Sequence, residues 1–246
     1  MISPNNLANF LDQYLETARY ADEMPLVRHQ FSRSVGKLGL ALEAWPGMGD
    51  WVRAEKLDAV FLHRALKLEP DALPGDIGVI ASHLPFEEKL GLGYNFCLAT
   101  ALGMTHLETL GYRKGRPLGM LGRVPPQTVS AFYQSVKETF GGQDESRTCE
   151  RNEVTKVAVV GAMTAELMHE ASQRGAEVYI TGQMRKPAKE AIIDTGLGVV
   201  IVGHQRSKQW ALSAFANILR ERFYGLKVVV AKELVVRPVP KLPQVE

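Results

Sequence analysis

The chain has 246 residues, 46% of them hydrophobic and 23% charged, with a formal net charge of +2. That is the composition of a globular protein whose core needs no staples, and the near-neutral charge argues against extended nucleic-acid binding. Two distant cysteines, Cys97 and Cys149, with no Cys-x-x-Cys argue against a disulfide framework or a thiolate zinc site.

In chain order, Ser3-Pro4-Asn5 predicts a helix start, and Leu7, Phe10, Leu11, Tyr14 and Leu15 recur at helical spacing. Polar residues through the first fifteen positions leave no signal-peptide core. No apolar run is long enough for a membrane span, so a cytoplasmic protein is expected. Ala21–Ser34 reads as irregular, broken by Pro25. Lys37–Ala44 predicts a strand and Asp50–Leu57 a short helix. Ala59–Leu62 predicts a buried strand that delivers His63 and Arg64 at its carboxyl end. Val79–Ala81 is the next strand, stopped by Pro85. After it come His83, the acidic pair Glu87 and Glu88, a glycine turn, and a helix beyond Asn95 with Leu98, Ala101 and Leu102 on one face. Spacing alone leaves two readings of the pair: solvated glutamates ahead of a helix, or a ligand site at the strand end of an open α/β sheet.

Leu107–Pro126 reads as strands and turns, Thr128–Phe140 as a helix, and Gly141–Glu153 as a polar linker or exposed loop. Strands then alternate with helices: Lys156–Val160, Thr164–Arg174, Glu177–Ile180, Pro187–Asp194 and Leu197–Val202. Gln209–Phe223 predicts an amphipathic helix with Trp210, Ser213, Ala214, Ile218 and Phe223 toward the core. Lys227–Val230 and Leu234–Val236 read as terminal strands, and Pro238 and Pro240 mark a tail. The fold class is therefore α/β, a single domain of two similar units with mixed sheets. The units are about 1–105 with the C-terminal strands, and about 154–226, with 106–153 connecting them and a ligand cleft between them.

Three predicted strands end in a histidine: His63, His83 and His204. Imidazoles with a carboxylate are the ligand types that hold zinc and its neighbours. Two such ions clamp an oxyanion and activate water.

These segments resemble the GTP cyclohydrolase 1 type 2 family, also called the Nif-three-like family of dinuclear-metal proteins. Its motif is His-x-x-x-Asp, a glycine-asparagine turn and a Leu-Ala-x-x-Leu-Gly helix. Here those positions are His83, Glu87, Gly93 to Asn95, Leu98-Ala99 and Leu102-Gly103. Ala59–Leu68 is similar to the family strand that ends in two histidines; His63 matches the first, and Arg64 replaces the second. Glu177–Lys208 is similar to a Thr-Gly-Glu segment followed by Gly-His-x-x-x-Glu. Thr181, Gly182, Gly203 and His204 match it, while Gln183 and Lys208 stand in place of the two acids. The family's early Asp-Tyr-x-x-Asn-Gly-Leu-Gln motif is missing.

The resemblance implies a Nif-three-like fold, a homo-oligomer of hexameric form, and metal ligands at His63, Arg64, Glu87, His204 and Lys208. Arg64 has no lone pair to offer. His63, Glu87 and His204 remain as a set for one divalent ion (zinc, manganese or iron), or for none. The expected anion-binding residues are Arg64, Lys208, His83, Thr181 and Gly182. Three functions stay open: binding of an anionic or nucleotide-like small molecule, metal-dependent hydrolysis of a nucleotide or phosphorylated compound, and an oligomeric structural or regulatory role.

Overall fold

A computed structural model describes residues 1–20, 27–29, 31–66, 68–69, 72–149, 151–161, 163–184 and 188–231. Helix α1 (Pro4–Leu15) starts where Ser3 Oγ accepts the Asn6 N–H, and Pro4 sits in the first turn, where no amide donor is needed. Its Leu7, Leu11 and Leu15 are buried. Then come β1 (Val27–His29), β2 (Lys37–Glu43), α2 (Met48–Glu55), β3 (Ala59–Arg64) and β4 (Gly78–Ala81). The span read as irregular thus contains a strand. Helices α3 (Leu84–Leu90) and α4 (Phe96–Ala101) follow, so Glu87 and Glu88 are helical. Pro85, expected to stop the strand, instead lies in the first turn of α3, and β4 already ends at Ala81. In α4 the inward residues are Leu98 and Ala99, whereas Ala101 is exposed.

The first sheet has the order β1-β4-β3-β2-β11, where β11 is Lys227–Val230. Strands β11, β2, β3 and β4 are parallel to their neighbours, and β1 is antiparallel to β4. Buried on both faces, β3 is a continuous apolar run. Leu40, Phe61 and Ile80 meet α1, α3 and the last helix on one face. Val60, Leu62 and Val79 meet α2 on the other.

The long hairpin β5 (Thr105–Arg113) and β6 (Arg116–Thr128) leads to α5 (Val129–Phe140), β7 (Glu145–Arg147) and β8 (Glu153–Val160). Next come α6 (Ala165–Gln173), β9 (Val178–Thr181), α7 (Lys189–Thr195), β10 (Gly198–Ile201) and α8 (His204–Arg222). The second sheet has the order β5-β6-β8-β9-β10-β7, parallel through β8, β9 and β10 and antiparallel at its edges. Residues 106–153, read as a connection, supply β6, β7 and most of β5 to this sheet. The polar stretch read as a linker holds its edge strand β7.

Helix α8 joins the units. It leaves β10 and buries Ala211, Leu212, Phe215, Ala216 and Leu219 against the first sheet. Trp210 packs against both cores. Ser213, expected inward, is exposed, so the apolar face is rotated from the predicted one. Leu234–Val236 and the proline tail lie outside the described residues. Among the described residues, no helix is long and apolar enough to cross a membrane.

Candidate functional site

The site forms where β3 and β4 end against the start of α8. The parallel register pairs Leu62 with Ala81, which sets His63 beside Ser82 and Arg64 beside His83. Side chains alternate along a strand. His63 therefore shares the face of Phe61 and packs on Phe86, ring centroids 5.4 Å apart, with only 1% of its surface exposed. Arg64 takes the opposite face, where its guanidinium donates to His83 Nε2 at 2.8 Å. Glu43, at the end of β2, is in register with Arg64.

Pro85 turns the chain into α3, and its first backbone bond, Glu87 N–H to His83 O, brings Glu87 back over His83. Glu87 Oε2 lies 3.2 Å from His63 Nε2, 3.5 Å from His83 Nε2 and 3.5 Å from Lys208 Nζ. Burial resists ionisation of Glu87. The bond from His63 and the charge of Lys208 outweigh it and hold the carboxyl well below the usual range. The neighbouring Glu88 accepts from Tyr20 Oη and Arg116 Nε, each at 2.8 Å. Both glutamates are bound, so the solvated reading fails for the pair.

Lys208 sits one turn after His204 on α8, its side chain 11% exposed. Burial and the charge of Arg64 lower its pKa, while Glu87 and Glu43 act against them. His204 is lowered by burial, Lys208 and Arg64, and raised by the same two carboxylates. His63 is lowered by burial, Lys208 and His83, against the pull of Glu87. His204 therefore belongs electrostatically to this cluster.

Among the described residues, the ligand atoms of His63, His83 and Glu87 lie within 4.8 Å of one another, a group that could hold a metal ion. His83, expected as an anion contact, takes the place expected for His204 in that group. By position these donors suit one divalent ion. By charge they do not, because Arg64 occupies the lone pair of His83 Nε2 and Lys208 contacts Glu87. An ion there would meet two cations at its own ligands. The residues present do not fit a dinuclear centre.

Thr181 and Gly182 stand apart from these contacts. Thr181 shares the face of Tyr179 toward α6 and α7, fully buried, and its hydroxyl has no partner among the described residues. A Cβ on Gly182 would sit 3.1 Å from Leu92 Cδ1 and 3.4 Å from Ser207 Oγ, so Gly182 marks close packing. Sequence reasoning missed Glu43. Its signal is that of three adjacent parallel strands two end in Glu43 and His63-Arg64 and the third is followed by His83, and strand adjacency is a tertiary fact.

Residues 51–234 match the model of the Duf34/NIF3 (NGG1p interacting factor 3) family. The chain is 24% identical over 240 residues to a GTP cyclohydrolase 1 type 2 homolog of Pyrococcus abyssi, covering 91% of this chain and 95% of the relative. Among solved structures it is similar to the protein ybgI, with a TM-score of 0.74 and 21% identity over 94% of this chain and 98% of that one. TTHA1606 from Thermus thermophilus gives a TM-score of 0.73 and 20% identity over 96% of this chain and 100% of that one. At such identity the structures speak for the fold.

Proposed function

The chain belongs to the Duf34/NIF3 family, and from that premise we propose that its cleft binds an anionic or nucleotide-like small molecule at Arg64 and Lys208. The observation that carries the reading is Arg64 Nε, a buried donor with no acceptor among the described residues. A buried unpaired donor is costly, and a phosphate or carboxylate oxygen would satisfy it. The planar fork of arginine suits such a group. Glu43 and Glu87 stand opposite the two cations, so recognition rests on directed donors more than on net charge. Lys208 supplies a second, mobile donor as it exchanges Glu87 for the ligand. His63 and Phe86 keep the back of the cleft closed.

Relatives carry the name GTP cyclohydrolase 1 type 2 homolog, which makes GTP the first probe, followed by pyrophosphate and inorganic phosphate. Titration calorimetry on the purified chain should show binding that weakens with salt. Elemental analysis should find less than one divalent ion per chain. Two tightly held ions per chain would overturn the reading.

One observation favours a second reading, a metal-dependent hydrolase: the convergence of His63, His83 and Glu87. It requires Arg64 to leave His83 so that a single zinc, manganese or iron ion can take that nitrogen. Hydrolysis of GTP that depends on added metal would support it. The proposal takes the protein as cytoplasmic and self-associating.

A further inference from the structure

Glu87 faces the cleft, and the next two residues of α3, Glu88 and Lys89, line a different cavity. It measures about 480 Å³, within the roughly 300–1,000 Å³ usual for small-molecule pockets, and it takes no residue from the cleft. Its walls are the end of α1, the turn into α4 and the start of β6. Asn95 clamps that turn. It is buried, its Nδ2 donates to Leu90 O and Gly91 O, and its Oδ1 accepts the N–H groups of Cys97 and Leu98. These bonds fix its two neighbours, Tyr94 and Phe96, whose rings meet edge to face with centroids 5.3 Å apart. Phe96 lines the cavity while 63% of its surface is exposed.

Two other rings of the cavity are already covered by cations. The Arg116 guanidinium carbon lies 4.6 Å from the Tyr20 centroid, and Lys89 Nζ lies 5.9 Å from that of Tyr14. The attraction of these ring faces for positive charge is therefore satisfied from within. Both cations are also bonded: Arg116 Nε donates to Glu88 at 2.8 Å, and Lys89 Nζ to Glu16 at 2.6 Å. A third cation, Arg19, shares Glu16 with Lys89. Among the described lining residues, three cations thus face two carboxylates. Arg19 is the surplus one. Its side chain is 53% exposed, and Glu16 keeps Lys89 when Arg19 turns away.

We propose that this cavity is a binding site for a small aromatic carboxylate. The ring of the ligand packs on Tyr94 and Phe96, which no cation covers among the described residues, in the offset or edge-on contacts that aromatic pairs prefer. Its carboxylate takes the fork of Arg19 in a charge-assisted pair. A cationic ring would instead meet a positive surplus and two carboxylates already bonded. The proposal is independent of the ligand reading of the cleft.

Three probes that share one ring test it on the full chain by titration calorimetry: naphthoate, naphthalenemethanol and naphthylmethylammonium, which are negative, neutral and positive. The carboxylate should bind about tenfold or more tighter than the ammonium, with the alcohol between them. Phe96→Ala changes an exposed side chain and should weaken all three. Arg19→Gln should bring the carboxylate down to the affinity of the alcohol. Cys97 lines the cavity and Cys149 does not, so naphthoate should slow alkylation of Cys97 by iodoacetamide and leave that of Cys149 unchanged. Pyrophosphate should not displace it. No binding at millimolar probe, a preference for the ammonium, or either variant behaving as its parent overturns the proposal. Displacement by pyrophosphate, which places the probe in the cleft, overturns it too, as does protection of both cysteines or of neither.

Discussion

Arg64 Nη2 stands 2.8 Å from His83 Nε2, and because a guanidinium has only donors, the imidazole nitrogen accepts there. An imidazole nitrogen and a fixed cation thus share one hydrogen bond at the point where family resemblance implies a metal. The arrangement holds the guanidinium in one orientation before any ligand arrives.

Arg64→Ala should therefore weaken binding of GTP or pyrophosphate by about tenfold or more, the effect of losing a charge-assisted hydrogen bond of roughly 1.5–3 kcal/mol. Arg64→Lys keeps the charge without the fork and should fall between. Calorimetry on the three forms reads the order directly; equal affinities would remove Arg64 from the site.

Arg64→His combined with Lys208→Glu replaces both cations by ligand types. The pair should take up zinc or manganese where the unmodified chain takes up little, and should lose anion affinity. Dialysis against metal followed by elemental analysis measures the first effect. A variant that folds and binds no more metal than its parent would show that the cations are not what limits the metal site.

Phe86 touches Phe61, Phe215 and His63, with centroids 5.5, 5.7 and 5.4 Å apart. Phe86→Ala should cost about 3–5 kcal/mol of stability. It also removes the wall behind His63, so denaturant melts and ligand titrations should both respond. A stability loss below about 1 kcal/mol would mean that the core closes over the gap.

Asp58 accepts the N–H groups of Gly36 and Lys37, both at 2.8 Å, and pairs with Arg33 at 2.6 Å. Burial works against its charge, but these partners prevail and lower the pKa from its ordinary 3.8. Its contribution is thus complete above roughly pH 4 and is lost as pH falls through the lower folded value. Asp58→Asn should reduce stability at pH 7 by about 1–2 kcal/mol and flatten the acid limb of the melting curve. An unchanged acid limb would assign that limb to other carboxylates.

Much of the fold was legible because its strands are short apolar runs punctuated by glycine and proline. Ala59–Leu62 announced itself this way, and so did the histidine that follows it. The edge strand β7 carried no such signal. Glu145, Ser146 and Arg147 are all polar and exposed, and without a buried face there is no alternation to detect. The hairpin was visible as strands, but its membership of the second sheet depends on pairing between β6 and β8. At the site, His63, His83 and Glu87 could be named from their motif. The contact between Arg64 and His83 depends on strand register, as does the position of Glu43. For α8 the helical period was legible and its phase was not, which is why Ser213 was assigned inward.

The course of α8 has a consequence for the order in which the molecule is assembled. The second sheet uses residues 105–201 without interruption, whereas the first cannot finish until β11, near residue 230, lies beside β2. A growing chain can therefore close its second unit while β2 still presents a bare edge. The first unit waits for the final helix to cover Phe61 and Phe86. Loss of the last forty residues would leave His63, His83 and Glu87 in the sequence but remove Lys208, most of α8 and the strand that pairs with β2.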